Sequence, residues 1–222
     1  MPSTLENTDT GALRREEQEA SAATVILVHG LWMTGLELRW LGRYLKSHGF
    51  NVRYFRYCSW RGTLCDAAEQ LRRFAEQQGR GEIHLLGHSL GGIVIAKMLE
   101  GGDLTNPGRI VLLGSPQQGS ALATALECYR SCRFILGPVA CEGIIRNRPA
   151  SLAGRKVMVI AGTLSFGFGR FFGITAPNDG TVTTAETLVP GAHQVLVRAS
   201  HMGMLFSRVA ASSICTFLKQ PR

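Results

Sequence analysis

Six short apolar runs recur along the chain: Thr24–Val28, Phe50–Tyr57, Ile83–Leu86, Arg109–Leu113, Lys156–Ala161 and Gln194–Arg198. Runs of this length and composition read as strands, the most apolar of them buried on both faces. Helical patterns fall between them, at Leu36–His48, from a Thr63 cap to about Gln78, and at Leu90–Glu100 and Ser120–Tyr129, with Met204–Leu218 closing the chain after the last run. In the first, Leu38, Trp40, Leu41, Tyr44 and Leu45 share one face, and Gly49 stops the helix. In the second, Thr63 stands three residues before Asp66, the spacing of a capping box. Regular alternation of strand and helix predicts an α/β fold: a mostly parallel central sheet, right-handed crossovers, helices on both faces and no large cap domain. Two stretches, Gly137–Gly154 and Gly162–Thr184, show neither period and are expected to be irregular.

Length and composition narrow the class. A chain of 222 residues with 45% apolar and 18% charged residues forms a single core and is not disordered. Residues 1–22 are polar, lack an apolar h-region, and read as a mobile leader to a single domain at 23–222. The longest apolar runs, such as Thr24–Val28 and Gly92–Ala96, fall far short of the roughly 18 residues a membrane span needs. A cytoplasmic protein is expected. The net charge of +8 comes from 24 basic against 16 acidic residues; the bases are spread out, with no run of five or more and only a mild concentration at Arg130–Arg170, so nucleic acid is not an expected partner. A solvated basic face is the plainer reading; peripheral contact with an anionic or lipid surface is a weaker one. Six cysteines without a C-x-x-C pair predict reduced, mostly buried thiols and no metal site.

The chemistry concentrates at Gly87-His88-Ser89-Leu90-Gly91, a G-x-S-x-G sequence between a strand and a helix. A serine on so tight a turn is held in strained geometry, with glycines where a Cβ would collide with the neighbouring chain. Its hydroxyl stands at the carboxyl edge of the sheet, at the positive end of the following helix.

Ser89 needs a base. Of six histidines, His48 ends a helix, His84 lies within a strand, and His193 stands at the wrong end of the last strand. His88, the variable residue of the turn, is expected to point away from the nucleophile. His201 follows the last strand and precedes the last helix, which puts it at the edge where Ser89 stands. For the orienting acid, Asp179 in Asn178-Asp179-Gly180 completes the order Ser89, Asp179, His201. The alternative is a plain surface turn. Oxyanion donors are expected from the amides of Leu90 and of Leu31, with Trp32 and Met33 lining the pocket mouth.

These segments resemble the α/β-hydrolase superfamily, and within it compact, lidless bacterial lipases and esterases. Val28-His29-Gly30 is similar to the oxyanion loop, Asp179-Gly-Thr-Val182 to the acid turn, and Ser200-His201-Met-Gly203 to the histidine turn. Leu113–Ser120 is similar to a glycine/proline segment of lipase-like members, although Gln117 stands where a histidine is frequent. The resemblance implies hydrolysis of a small-molecule or lipid-like acyl ester through an acyl-enzyme, without metal or organic cofactor. Acyl transfer or thioester hydrolysis on the same triad is an alternative, as is a non-catalytic binding protein of this fold. Gly162–Gly173 carries Phe166, Phe168, Phe171 and Phe172, either core residues or an aromatic rim over the acyl pocket. Its glycine spacing does not fit a dinucleotide site.

Overall fold

The computed structural model describes residues 23–79, 81–120, 137–145, 152, 154–166 and 176–221. Six strands form one sheet: β1 (Thr24–Val28), β2 (Asn51–Phe55), β3 (Ile83–His88), β4 (Pro107–Leu113), β5 (Val157–Gly162) and β6 (His193–Val197). Their spatial order is β2-β1-β3-β4-β5-β6 and every pairing is parallel. β1 lies inside the sheet; from it the chain runs out to β2 and returns to β3 on the other side of β1. The carboxyl ends of β1 and β3, with Val28 paired to Gly87, therefore flank the point where winding reverses, the usual crevice for a ligand in such sheets.

Helices α1 (Arg39–Ser47), α2 (Leu64–Glu76), α3 (Leu90–Glu100) and α4 (Arg208–Leu218) cover the sheet. Strand pleating divides the core in two. Ile26 and Val28, Leu85, Ile110 and Leu112, and Val157 and Val159 pack with α2 and α3 on one face. Val25 and Leu27, Leu86, Val111 and Leu113, and Met158 and Ile160 pack with α1 and α4 on the other. Each fully buried Leu or Ile contributes roughly 1.5–3 kcal/mol, so two continuous apolar layers hold the strand ends in register. The expected α/β architecture is what the chain adopts, and no cap domain stands over the sheet among the described residues.

Local departures have local causes. The first predicted helix opens as a tight turn, Leu36–Leu38, because Gly35 enters it at φ 88 and no side chain caps it. The last is divided: Gly203–Phe206 forms a tight turn, and α4 starts afresh where the Ser207 hydroxyl accepts from the Ala210 amide. The capping box at Thr63 and Asp66 forms as expected. Residues 137–145, expected to be irregular, are helical, ending in a widened turn at Cys141–Ile145. Thiols expected to be mostly buried are not: Cys58 and Cys65 are exposed, Cys141 is half-buried and only Cys215 is buried among those described. Residues 1–22, all but the first residue of the expected Ser120–Tyr129 helix, and Phe168, Phe171 and Phe172 lie outside the described residues; Phe166 is exposed. No helix among the described residues is long and apolar enough to cross a membrane.

Candidate active site

β3 runs straight into Ser89, and α3 begins at the next residue. Ser89 has φ 53 and ψ −123, a conformation costing on the order of 1–3 kcal/mol that persists only where the surroundings enforce it. The enforcement is visible. The Ser89 amide donates to Leu113 O at 3.0 Å, tying the turn to β4. A Cβ on Gly87 would stand 2.5 Å from the Gly92 backbone, and one on Gly91 would strike the carbonyls of Val28 and His29. Both glycines are therefore obligatory, as their positions predicted. Leu90 N–H belongs to the first turn of α3, whose amides have no partner within the helix.

The loop after β1 is built on His29, which is buried and stacked on Tyr57 with ring centroids 4.6 Å apart. A carbonyl only accepts, so the 2.9 Å contact with Gly30 O makes His29 Nδ1 the protonated nitrogen. Nε2 then accepts from the Tyr57 amide at 3.4 Å, and the Tyr57 hydroxyl donates back to His29 O at 3.1 Å. Burial, the largest influence, lowers the His29 pKa, which agrees with a neutral ring. In a trans peptide C=O and N–H point opposite ways, so fixing Gly30 O turns Leu31 N–H away from His29. That amide has no acceptor among the described residues. Trp32 is exposed, has φ 56, and donates its amide to Ser59 Oγ at 3.0 Å. Met33 turns its sulfur to the Gly30 amide at 3.3 Å.

Asp179 is 1% exposed, which excludes a plain surface turn. Its Oδ1 accepts from the amides of Thr181 and Val182 at 2.9 and 2.8 Å, leaving Oδ2 to accept from His201 Nδ1 at 2.7 Å. The preceding Asn178 closes the same turn, its Oδ1 accepting from the Gly180 amide at 2.8 Å. The other acids are used elsewhere: Glu142 accepts from the Leu64 amide at the start of α2, and Glu186 from the Thr183 amide. Glu127 lies outside the described residues.

His201 and Asp179 are thus brought together, on the carboxyl side of the sheet. Ser89 Oγ makes no direct hydrogen bond with His201, whose Nδ1 is taken by Asp179. The connection between them runs through His88, contrary to expectation. His88 does not point away: it is 1% exposed, its ring centroid lies 4.8 Å from that of His201, and its Nε2 lies 3.1 Å from His201 O. The cause is strand length. β3 continues to His88 rather than ending at Leu86, so the pleat puts residue 88 on the side of Leu86, where Ala199, Met204 and Leu205 pack.

Gly114 is a second residue that sequence reasoning missed. It leaves β4 at φ 56, and a Cβ there would meet Asp179 Oδ2 and His201 Nδ1, each at 3.2 Å, and Met204 Cε at 2.6 Å. The signal was the glycine ending the Arg109–Leu113 run. Of the remaining histidines, His48 is exposed beside Tyr44, His84 is buried and accepts from the Arg109 amide at 2.9 Å, and His193 is exposed. Gln117 is buried and donates to Ser115 Oγ. Among the described residues no three His, Cys, Asp or Glu side chains cluster to hold a metal. A cavity of about 420 Å³ opens at the opposite, amino edge, where Arg155 pairs with Asp103 at 2.6 Å and Arg109 with the carbonyls of Gln220 and Pro221.

The chain belongs to the alpha/beta hydrolase family, whose model matches residues 25–210. No curated protein matches it by sequence. Among solved structures it is similar to a metagenomic carboxyl esterase, at 17% identity and TM-score 0.66, covering 82% of this chain and 65% of that one. It is also similar to phospholipase PlaB from Legionella pneumophila, at 19% identity and TM-score 0.67, covering 90% and 60% of the two chains. A monoacylglycerol lipase from Paleococcus ferrophilus is similar at 17% identity and TM-score 0.60, covering 89% and 96%. The chain thus spans less than two thirds of the first two, and these identities speak to fold alone.

Proposed function

We propose that this protein is a serine hydrolase that cleaves carboxylic esters, with Ser89 as nucleophile, His201 as base and Asp179 as the acid that orients it. The observation that carries this reading is the 2.7 Å contact between His201 Nδ1 and a buried Asp179, at the same sheet edge as a serine in strained geometry. With Nδ1 occupied, Nε2 is the nitrogen left to take a proton. It receives the Ser89 proton as the hydroxyl attacks the ester carbonyl, and delivers it to the departing alcohol. The tetrahedral oxyanion is held by Leu31 N–H and Leu90 N–H, each worth about 2.7–4 kcal/mol in sites of this kind. Water then repeats the attack on the acyl-enzyme. The esterase and lipases to which the fold is similar, one of them a phospholipase, support a small-molecule or lipid-like acyl ester as substrate.

The test is a series of p-nitrophenyl esters of graded chain length, with fluorophosphonate labelling, on wild type and Ser89→Ala. Turnover and labelling in wild type, with turnover reduced at least about 10³-fold in the variant, are expected. Labelling without ester turnover points to an acyl acceptor other than water. Neither labelling nor turnover overturns the reading in favour of a binding protein.

A further inference from the structure

His201 is held at three points. Its amide donates to Asp179 O at 2.8 Å, its Nδ1 donates to Asp179 Oδ2 at 2.7 Å, and its carbonyl receives the ring of His88 at 3.1 Å. Asp179 supplies two of these ties. The third comes from the residue covalently joined to Ser89.

A carbonyl oxygen cannot donate, so His88 carries its proton on Nε2 and gives it to His201 O. Nδ1 is then a lone pair, and it has no partner although the side chain is fully enclosed. It faces Gly30, where an added Cβ would lie 3.3 Å from it and 3.0 Å from Ser89 Cβ. An unpaired buried acceptor is unfavourable, and a merely space-filling residue here would be apolar. Something is gained from an imidazole that a leucine does not supply.

From this geometry we infer that His88 is a positioning residue, a rigid strut between the nucleophile turn and the histidine turn that sets where the His201 imidazole stands relative to Ser89. This rests on the reading of Ser89 and His201 as nucleophile and base. The strut spans elements far apart in sequence, joining the end of β3 to the connection between β6 and α4. Its ring also packs against His201 at 4.8 Å between centroids, so it limits tilt as well as distance. A second cation beside the imidazolium formed during attack would oppose that step. Burial prevents this by driving the His88 pKa down to about 3, and the nearby His201 adds to the effect.

The experiment compares His88→Leu, which removes the donor, with His88→Gln, whose side-chain amide reaches the Nε2 position. Both are read by ester kinetics, by thermal unfolding, and by the low-field proton resonance of the His201 Nδ1–H bonded to Asp179. In His88→Leu, kcat should fall about 10–100-fold with KM within about twofold, the size of effect an ångström of misplacement produces. The low-field resonance should shift or broaden. His88→Gln should recover most of the rate and the resonance. An unchanged kcat and resonance in a folded His88→Leu overturns the inference. So does an equal loss in both variants that simply follows lost thermal stability. If wild type neither turns over esters nor labels, the hydrolase reading fails, while the resonance still reports whether residue 88 sets His201.

Discussion

Asp179 and His201 are joined twice, main chain to main chain at 2.8 Å and side chain to side chain at 2.7 Å. The double tie fixes the imidazole's rotation as well as its place, and the two amides on Oδ1 fix the carboxylate in turn. Asp179→Asn preserves size and leaves an oxygen for those amides, but it presents an NH₂ group to His201 Nδ1 and so favours the wrong tautomer. On the proposed mechanism kcat should fall by about 10³–10⁴ with little change in KM, as the corresponding substitution does in a known triad. Steady-state ester kinetics on the folded variant check this, and a loss below tenfold would count against Asp179 as the orienting acid.

Gly114 bears on the same pair from the opposite side. With φ 56, Gly114→Ala must push Met204 Cε aside from 2.6 Å and press on Asp179 Oδ2 and His201 Nδ1, each 3.2 Å from the added Cβ. The backbone strain and crowding together should cost about 1–3 kcal/mol of stability. The kcat loss should exceed tenfold, since the crowded atoms include both ends of the His201–Asp179 hydrogen bond. Urea unfolding alongside kinetics separates the two effects.

Much of this fold was legible because buried parallel strands advertise themselves. Thr24–Val28 and Leu90–Glu100 match the expected bounds to the residue, since a predominantly apolar strand or helix running into polar residues or glycine has sharp ends. Edges were lost where ends are set by capping rather than hydropathy, as at Gly35 and Ser207. Chain order and elimination singled out Asp179 and His201, which the structure joins by a hydrogen bond. His88 was misplaced because two more residues of β3 reverse nothing in composition but decide which way a side chain faces. His29 and Gly114 were not legible as supports because their work is done by long-range contacts, to Tyr57 and to the Asp179–His201 pair.

Arg109 provides a control away from the candidate site. It is buried at the amino edge, donates through Nη2 to Gln220 O at 3.0 Å and Pro221 O at 2.7 Å, and lies 5.2 Å from the centroid of Phe217. A cation beside the carbonyls that follow α4 is favourable. Arg109→Met keeps the volume but removes both charge-assisted hydrogen bonds, so stability should drop by about 2–4 kcal/mol. The kcat of the folded variant should stay within about twofold, since the chain leaves α4 at the sheet edge opposite Ser89. A large kcat loss without a stability change would mean the two edges are coupled.

Stability should also depend on pH through two of the buried imidazoles, those of His29 and His88. His88 and His29 both have pKa values lowered by burial, His88 to about 3, whereas in the unfolded chain each titrates near about 6.5. Above that value neither state is charged, and these groups leave stability unaffected. As pH falls below it, the unfolded chain takes up protons that the folded chain refuses, so stability declines toward pH 3. Each such histidine adds a slope of up to about 1.4 kcal/mol per pH unit. Urea midpoints should therefore decrease steadily between pH 7 and pH 5, a window above the range in which carboxylates titrate. His88→Leu should remove close to one proton from that slope while leaving the contribution of His29 in place. An identical slope in the variant would mean that residue 88 is protonated in the folded chain, which its enclosed position beneath His201 does not allow.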